Sequence, residues 1–289
     1  MSGAADNFLG LSAADTDYRR ARFAVLPVPY DGTTSFQVGT RYGPRAILTA
    51  SRQVELYDEA LGAEAYRAGV ATLPPVATQS SGPAEQVRAV FAAARKVVGS
   101  GKFLIGLGGE HSITAGLVRA VMTRHRRLSV LQIDAHADLR DEYEGTPWSH
   151  ACVMRRVLDR GATVVPVGIR NYSREEHRFM QARGFQPVTS RECRNSGDWI
   201  DRAVDMLESP VYVSIDIDGF DPAYAPGTGT PEPGGLDWHQ VTDLLAEVTR
   251  VHRVVAADVV EVMPLPGSMQ TEFFAAKLIY RLMGLVTAR

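Results

Sequence analysis

Leu128-Ser129-Val130-Leu131-Gln132-Ile133 runs without a break into Asp134-Ala135-His136-Ala137-Asp138. A short apolar, β-branched segment thus ends in three side chains able to bind a cation. The same juxtaposition occurs twice more. Phe103-Leu104-Ile105-Gly106-Leu107 leads into Gly108-Gly109-Glu110-His111-Ser112, and Val211-Tyr212-Val213-Ser214-Ile215 leads into Asp216-Ile217-Asp218-Gly219-Phe220-Asp221. In open α/β sheets, ligands collect beyond the C-terminal ends of the strands. Three strands that each finish in imidazole or carboxylate therefore mark both an architecture and the edge that carries its chemistry.

Around these three segments the chain alternates between strand-like and helix-like patterns. Phe23–Val28 reads as a strand, and Gly43-Pro44 opens a helix, with Pro44 in its first turn. Gly82-Pro83 opens another, over Ala84–Val98, and a helix is expected from Ser112 to Arg126. Ala162–Val167 reads as a strand, followed by a helix over Ser173–Arg183 and a short extended run, Phe185–Val188. Helices over Trp199–Leu207, His239–Val248 and Thr271–Leu285 surround a last strand, Val254–Val260. This alternation predicts an α/β fold: a single three-layer α/β/α domain with a mostly parallel central sheet. The domain is expected to span residues 1–289, with residues 1–20 an irregular N-terminal extension.

Composition narrows the partners. Lys and Arg number 31 against 33 Asp and Glu, a net charge of -2, so no nucleic-acid or anionic-membrane partner is expected. The two cysteines, Cys152 and Cys193, are too few and too far apart for a disulfide framework or a zinc motif, which favours a reducing compartment. The start, Met1-Ser2-Gly3-Ala4-Ala5-Asp6, lacks a basic region followed by an apolar run, and no stretch approaches the roughly 20 apolar residues of a membrane span. A cytoplasmic location is the expectation.

The candidate metal ligands are His111, Asp134, His136, Asp138, Asp216 and Asp218. In extended chain, residues at i, i+2 and i+4 point the same way. Asp134, His136 and Asp138 would then share a face, with Ala135 and Ala137 packed behind them and Ile217 turned to the core. Gly108-Gly109 is expected to turn the backbone sharply before His111. Four massed carboxylates would repel one another without cations. Six side chains exceed what one ion usually takes from protein and suit a pair of hard cations sharing carboxylates. Such a pair turns water into a nucleophile at neutral pH, so hydrolysis is the expected chemistry.

Taken together, these motifs resemble the ureohydrolase superfamily of arginases and agmatinases, over nearly the whole chain. Ser214–Pro222 and its continuation, Gly227-Thr228-Gly229-Thr230-Pro231 and Gly234-Gly235-Leu236, carry the resemblance further, as do Pro29-Tyr30-Asp31 and Gly39–Ile47. The resemblance implies an arginase-like fold, two Mn²⁺ ions and hydrolysis of a guanidino group to urea. It implies that His111 and Asp138 bind one ion, His136 and Asp218 the other, and that Asp134 and Asp216 bridge them. Glu110 and Asp221 become supporting carboxylates. His150 matches the family histidine placed to shuttle protons, and Glu261, in Glu261-Val262-Met263-Pro264, the carboxylate that would grip the guanidinium. The family's usual homotrimer or homohexamer is expected.

Substrate choice is less legible. The loop Leu139–Ser149 lacks the Ser-Gly-Asn run expected of an arginase, and its Asp141, Glu142 and Glu144 would suit the free amine of agmatine. Arg140 or Arg170 could instead meet the carboxylate of guanidinobutyrate. Leu265-Pro266 stands where many agmatinases carry Tyr-Asp. The expected reaction is agmatine plus water to putrescine plus urea. The alternatives are another guanidino hydrolase (for arginine, guanidinobutyrate or guanidine), a zinc-dependent amide deacetylase, and a non-catalytic metal-binding relative.

Overall fold

The structure, a computed structural model, describes residues 6–288. The first five residues of the expected N-terminal extension, and Arg289, lie outside it. Eight strands form one sheet: β1 (Phe23–Val28), β2 (Val70–Thr72), β3 (Phe103–Gly108), β4 (Ser129–Ile133), β5 (Thr163–Ile169), β6 (Val188–Thr189), β7 (Val211–Asp216) and β8 (Val254–Val260). Their order is β2-β1-β3-β8-β7-β4-β5-β6, and every pairing is parallel. The expected sheet was mostly parallel; the observed one is wholly so.

Nine α-helices cover its two faces: α1 (Gly43–Ser51), α2 (Pro83–Gly99), α3 (Thr114–Met122), α4 (Val153–Leu158), α5 (Arg174–Arg183), α6 (Ser190–Asn195), α7 (Trp199–Asp205), α8 (Trp238–Val251) and α9 (Gln270–Thr287) among the described residues. Strand alternation divides the core. Val25, Ile105, Leu131, Val213 and Val259 face α1 and α6–α9, whereas Ala24, Leu104, Val130, Tyr212 and Val260 face α2–α5. Because both faces are covered, the strands read as nearly continuous apolar runs. Helix α8 illustrates the local logic. Asp237 and Gln240 close a capping box at its start, with Gln240 N–H donating to Asp237 Oδ1 at 2.8 Å. Val241, Leu244, Leu245 and Val248 then form one fully buried stripe, each contributing about 1.5–3 kcal/mol by leaving water.

Differences from the sequence reading have local causes. The helix expected over Ser112–Arg126 is a 3₁₀ turn, His111–Ile113, followed by the shorter α3. Of Phe185–Val188 only Val188 joins the sheet; Pro187, lacking an N–H, precedes it at the edge. β2, α4 and α6 were not foreseen, being three to six residues long and too short to display a period. The described part of the N-terminal segment is anchored. Phe8, Leu9 and Leu11 are buried, and Leu9 N–H donates to Ser51 Oγ at 2.8 Å. Among the described residues no helix is long and apolar enough to cross a membrane.

Candidate metal centre

Strands β3, β8, β7 and β4 are neighbours at the middle of the sheet. Each hands its C-terminal end to the same spot: His111 after β3, Glu261 after β8, Asp216 and Asp218 at and after β7, and Asp134, His136 and Asp138 after β4. His111 Nδ1 lies 3.3 Å from Asp134 Oδ2, 3.0 Å from Asp138 Oδ2 and 3.4 Å from Asp216 Oδ2. His136 Nδ1 lies 2.9 Å from Asp218 Oδ2 and 3.7 Å from Asp134 Oδ1. His111, Asp134 and Asp216 form one group, and Asp134, His136 and Asp218 a second; within each, the candidate ligand atoms are within 4.8 Å of one another. Asp134 belongs to both.

Extended alternation is not what aims these side chains. β4 stops at Ile133, and Asp138 adopts a positive φ of 54°. Asp134 Oδ1 accepts the His136 N–H at 2.6 Å, and Asp216 Oδ1 accepts the Asp218 N–H at 2.9 Å. Each i, i+2 pair is thus a side-chain-closed turn rather than a continuation of the strand. Ala135, Ala137 and Ile217 are buried, as their size and position led one to expect. Gly108-Gly109 also works differently from expectation. Neither residue has a positive φ, but a Cβ on Gly109 would lie 1.9 Å from the Tyr30 carbonyl oxygen, and one on Gly108 2.5 Å from Val260 Cγ1. These glycines provide room for close packing, not a sharp turn.

The donor set fits cations. His111 Nε2 lies 2.9 Å from Ser214 Oγ, whose hydroxyl donates to Asp258 Oδ1 at 2.8 Å. With that hydroxyl proton committed, the imidazole carries a proton on Nε2, so Nδ1 is the atom left to take a cation or, in its place, a second proton. Nδ1 is buried, makes no hydrogen bond among the described residues, and faces three carboxylates. Asp258 is further held by Tyr212 Oη–H at 2.6 Å and Thr114 Oγ1–H at 2.7 Å. On the other side, Gln132 Nε2–H donates to Asp134 Oδ2 at 2.8 Å and the Ala135 N–H to Asp218 Oδ1 at 3.1 Å. Electrostatics records the crowding. Burial opposes charge on His136, but Asp218 and Asp134 override it and push the imidazole up to about 12. Burial, with the Asp134 charge beside it, raises Asp138 to about 7 against the pull of His111. Metal-free, the cluster keeps protons where cations would sit.

Glu261 lines the cleft above this group. Its φ is 62°, so it and Asp138 are two of the four non-glycine residues with positive φ among the described residues, a conformation that functional sites retain at a cost. Glu261 Oε1 accepts the His111 N–H at 2.6 Å, and the other carboxylate oxygen makes no hydrogen bond within the described residues. His150 stands at the rim. Its Nδ1 is 3.3 Å from both Thr33 Oγ1 and Ser149 Oγ, and its ring meets Tyr143 edge-on at 6.0 Å. Burial, aided by the neighbouring histidine charges, lowers its imidazole to about 4, so it is neutral at neutral pH.

The supporting carboxylates are accounted for. Glu110 accepts the Thr33 N–H and Oγ1–H, both at 2.6 Å, and the Ser112 hydroxyl. Asp221 closes its own loop through the N–H groups of Ala223, Gly234 and Gly235. Two substrate-facing ideas do not survive. Asp141 is occupied by Arg156 at 2.5 Å, and neither Glu142 nor Glu144 lines the cleft. Arg170 spends its guanidinium on backbone carbonyls, among them Asp218 and Glu232 at 2.7 Å each, and so rivets the loop beneath the site instead of facing a substrate carboxylate. Sequence reasoning missed Gln132, Thr33 and the hydrogen bonds by which Ser214 joins Asp258 to His111. A buried Gln in an otherwise apolar strand, and a Ser and an Asp at facing positions of two central strands, were the available signals.

An α/β/α sandwich whose central strands end in two histidine–carboxylate groups, with a free carboxylate oxygen above them, defines a hydrolase class with a candidate two-cation centre. The chain belongs to the arginase family, whose model matches residues 21–284. It is 40% identical over 280 residues to an N(1)-aminopropylagmatine ureohydrolase from Synechocystis sp., covering 94% of this chain and 92% of that one. It is 35% identical to an agmatinase from Pyrococcus horikoshii, with 93% of each covered. The crystal structure of agmatine ureohydrolase of Thermoplasma volcanium superposes with a TM-score of 0.87 at 34% identity, over 98% of this chain and 94% of that one. The chain is therefore a ureohydrolase acting on guanidino groups.

Proposed function

We propose that this chain releases urea from a linear guanidino polyamine lacking a carboxylate, N(1)-aminopropylagmatine ahead of agmatine. Two Mn²⁺ ions would be held by His111 and Asp138 on one side and His136 and Asp218 on the other, with Asp134 and Asp216 between them. The observation that carries this reading is the buried His111 Nδ1, without a hydrogen bond among the described residues and aimed among three carboxylates, beside a second histidine group that shares Asp134. The order of substrates rests on the names of relatives at 40% and 35% identity. The saturation of Arg170 by carbonyls supports a substrate without a carboxylate.

When bound, a pair of divalent cations supplies a nucleophile by lowering the pKa of water. Glu261 offers its free oxygen to a guanidinium N–H and fixes the central carbon in place. A C–O bond forms there and the C–N bond to the polyamine breaks. The departing amine needs a proton, and His150, neutral at the rim, relays one from solvent. Assembly as a homotrimer or homohexamer and a cytoplasmic location belong to the same reading. The two cysteines, free and buried, accord with a reducing compartment.

The test is a urea-release screen of the Mn²⁺-loaded protein against N(1)-aminopropylagmatine, agmatine, arginine, guanidinobutyrate and guanidine. The expected result is the highest kcat/KM on the first, then agmatine. Arg140, which lines the cleft, remains the residue through which guanidinobutyrate could bind. Urea from arginine alone, or from none of the five, would overturn the reading.

A further inference from the structure

Three aromatic rings line the cleft: Phe36, Tyr143 and Tyr172. They differ in how far they are committed. The Arg140 guanidinium sits 4.8 Å from the centroid of Tyr143, and His150 meets that ring edge-on. Phe36, on the loop between Asp31 and Gly39, is 72% exposed. Tyr172 is 41% exposed, and its ring stacks on His177 at 6.0 Å with an interplanar angle of 6°. Its backbone is held on both sides. The Arg170 and Asn171 N–H groups donate to the Ala135 carbonyl at 2.9 and 3.0 Å, tying the loop to the metal-ligand segment. Ser173 N–H donates to Glu176 Oε2 at 2.7 Å in the capping box that starts α5. Tyr172 also lines a second groove, shared with His177, Gln181 and Gln186, so its ring is the ridge between that groove and the catalytic cleft.

The outer cleft offers a cation little else. Glu176 lines it, but its two oxygens accept the N–H groups of Leu139 and Ser173. Glu232, which does not line the cleft, accepts the Asn171 Nδ2–H at 2.6 Å on one of its oxygens. Tyr172 thus presents an exposed ring at the outer cleft where both oxygens of Glu176 are already engaged. An ordered ring attracts a cation through its negative face and loses little freedom in doing so.

We propose that Tyr172, buttressed by His177, is a specificity-determining residue that receives the distal ammonium of the longer polyamine substrate as its tail crosses from the catalytic cleft toward the neighbouring groove. The inference rests on the polyamine reading above. Agmatine, shorter by the aminopropyl arm, keeps its ammonium inside the cleft and does not reach the ring. Tyr172 thereby gives the site its preference for length without touching the reacting atoms.

The experiment measures steady-state kinetics of the Mn²⁺-loaded wild type, Tyr172→Ala and Tyr172→Phe. The substrates are N(1)-aminopropylagmatine, agmatine, and an analogue of the longer substrate whose terminal amine is replaced by hydroxyl. Tyr172→Ala is expected to raise KM for N(1)-aminopropylagmatine by about threefold to tenfold at unchanged kcat, the scale of a partly exposed cation–π contact. KM for agmatine and for the hydroxyl analogue should change less than about twofold. Tyr172→Phe, which keeps the ring, should match the wild type on all three. An equal rise for agmatine or the analogue, no rise for the longer substrate, or a Phe variant behaving like Ala would overturn this role while leaving the polyamine reading in place. Urea from neither polyamine with the wild type would overturn both.

Discussion

Asp134→Asn will abolish the Mn²⁺-dependent rise in thermal stability and lower urea release by more than the roughly 100-fold that loss of an outer metal partner costs. Asp134 is the one side chain common to both candidate cation groups, and it is fully buried between the two imidazoles. The amide conserves volume and its single oxygen can still accept the His136 N–H, while the bond from Gln132 to the other oxygen is lost, a local cost that the fold should survive. What it removes is the charge that two cations would share. A ligand that binds only the folded state raises stability by about 2.7 kcal/mol at 100 times its dissociation constant. Wild-type protein should therefore melt several degrees higher with excess Mn²⁺, and the variant should not. Unchanged turnover, or an unchanged response to Mn²⁺, would remove Asp134 from the centre.

Glu261→Gln should lower kcat/KM by about 10²–10³-fold while the metal content stays at its wild-type value. Gln keeps an acceptor for the His111 N–H but presents an NH₂ donor where a guanidinium donor must bind. Two donors then face each other, and orientation of the central carbon is lost. The split between activity and metal content is what matters. If metal content falls together with activity, Glu261 acts through the His111 backbone and has no direct role toward substrate.

The architecture was legible because parallel strands buried on both faces read as apolar runs, and because three of those runs ended in ligand residues. The six candidate ligands converge because β3, β8, β7 and β4 are adjacent, an order that follows from chain crossovers and not from any local pattern. The local geometry was read less well. Strand alternation placed Asp134, His136 and Asp138 on one face for the wrong reason, since the turn at Asp134 and the left-handed Asp138 do the aiming. Asp141 and Arg170 looked like substrate contacts because charge invites that reading. Their true partners, Arg156 and a ring of carbonyls, are distant in sequence and leave no signature along the chain. The hydrogen-bond chain from His111 through Ser214 to Asp258 is hidden for the same reason: its members sit on separate strands and meet only when the sheet closes.

The most direct test is anomalous diffraction from a crystal of the protein grown with excess Mn²⁺. Two manganese peaks per chain are expected, one bonded to His111 Nδ1 and the other to His136 Nδ1, with Asp134 and Asp216 reaching both. A single peak, or peaks away from these side chains at full Mn²⁺ loading, would contradict the two-cation centre.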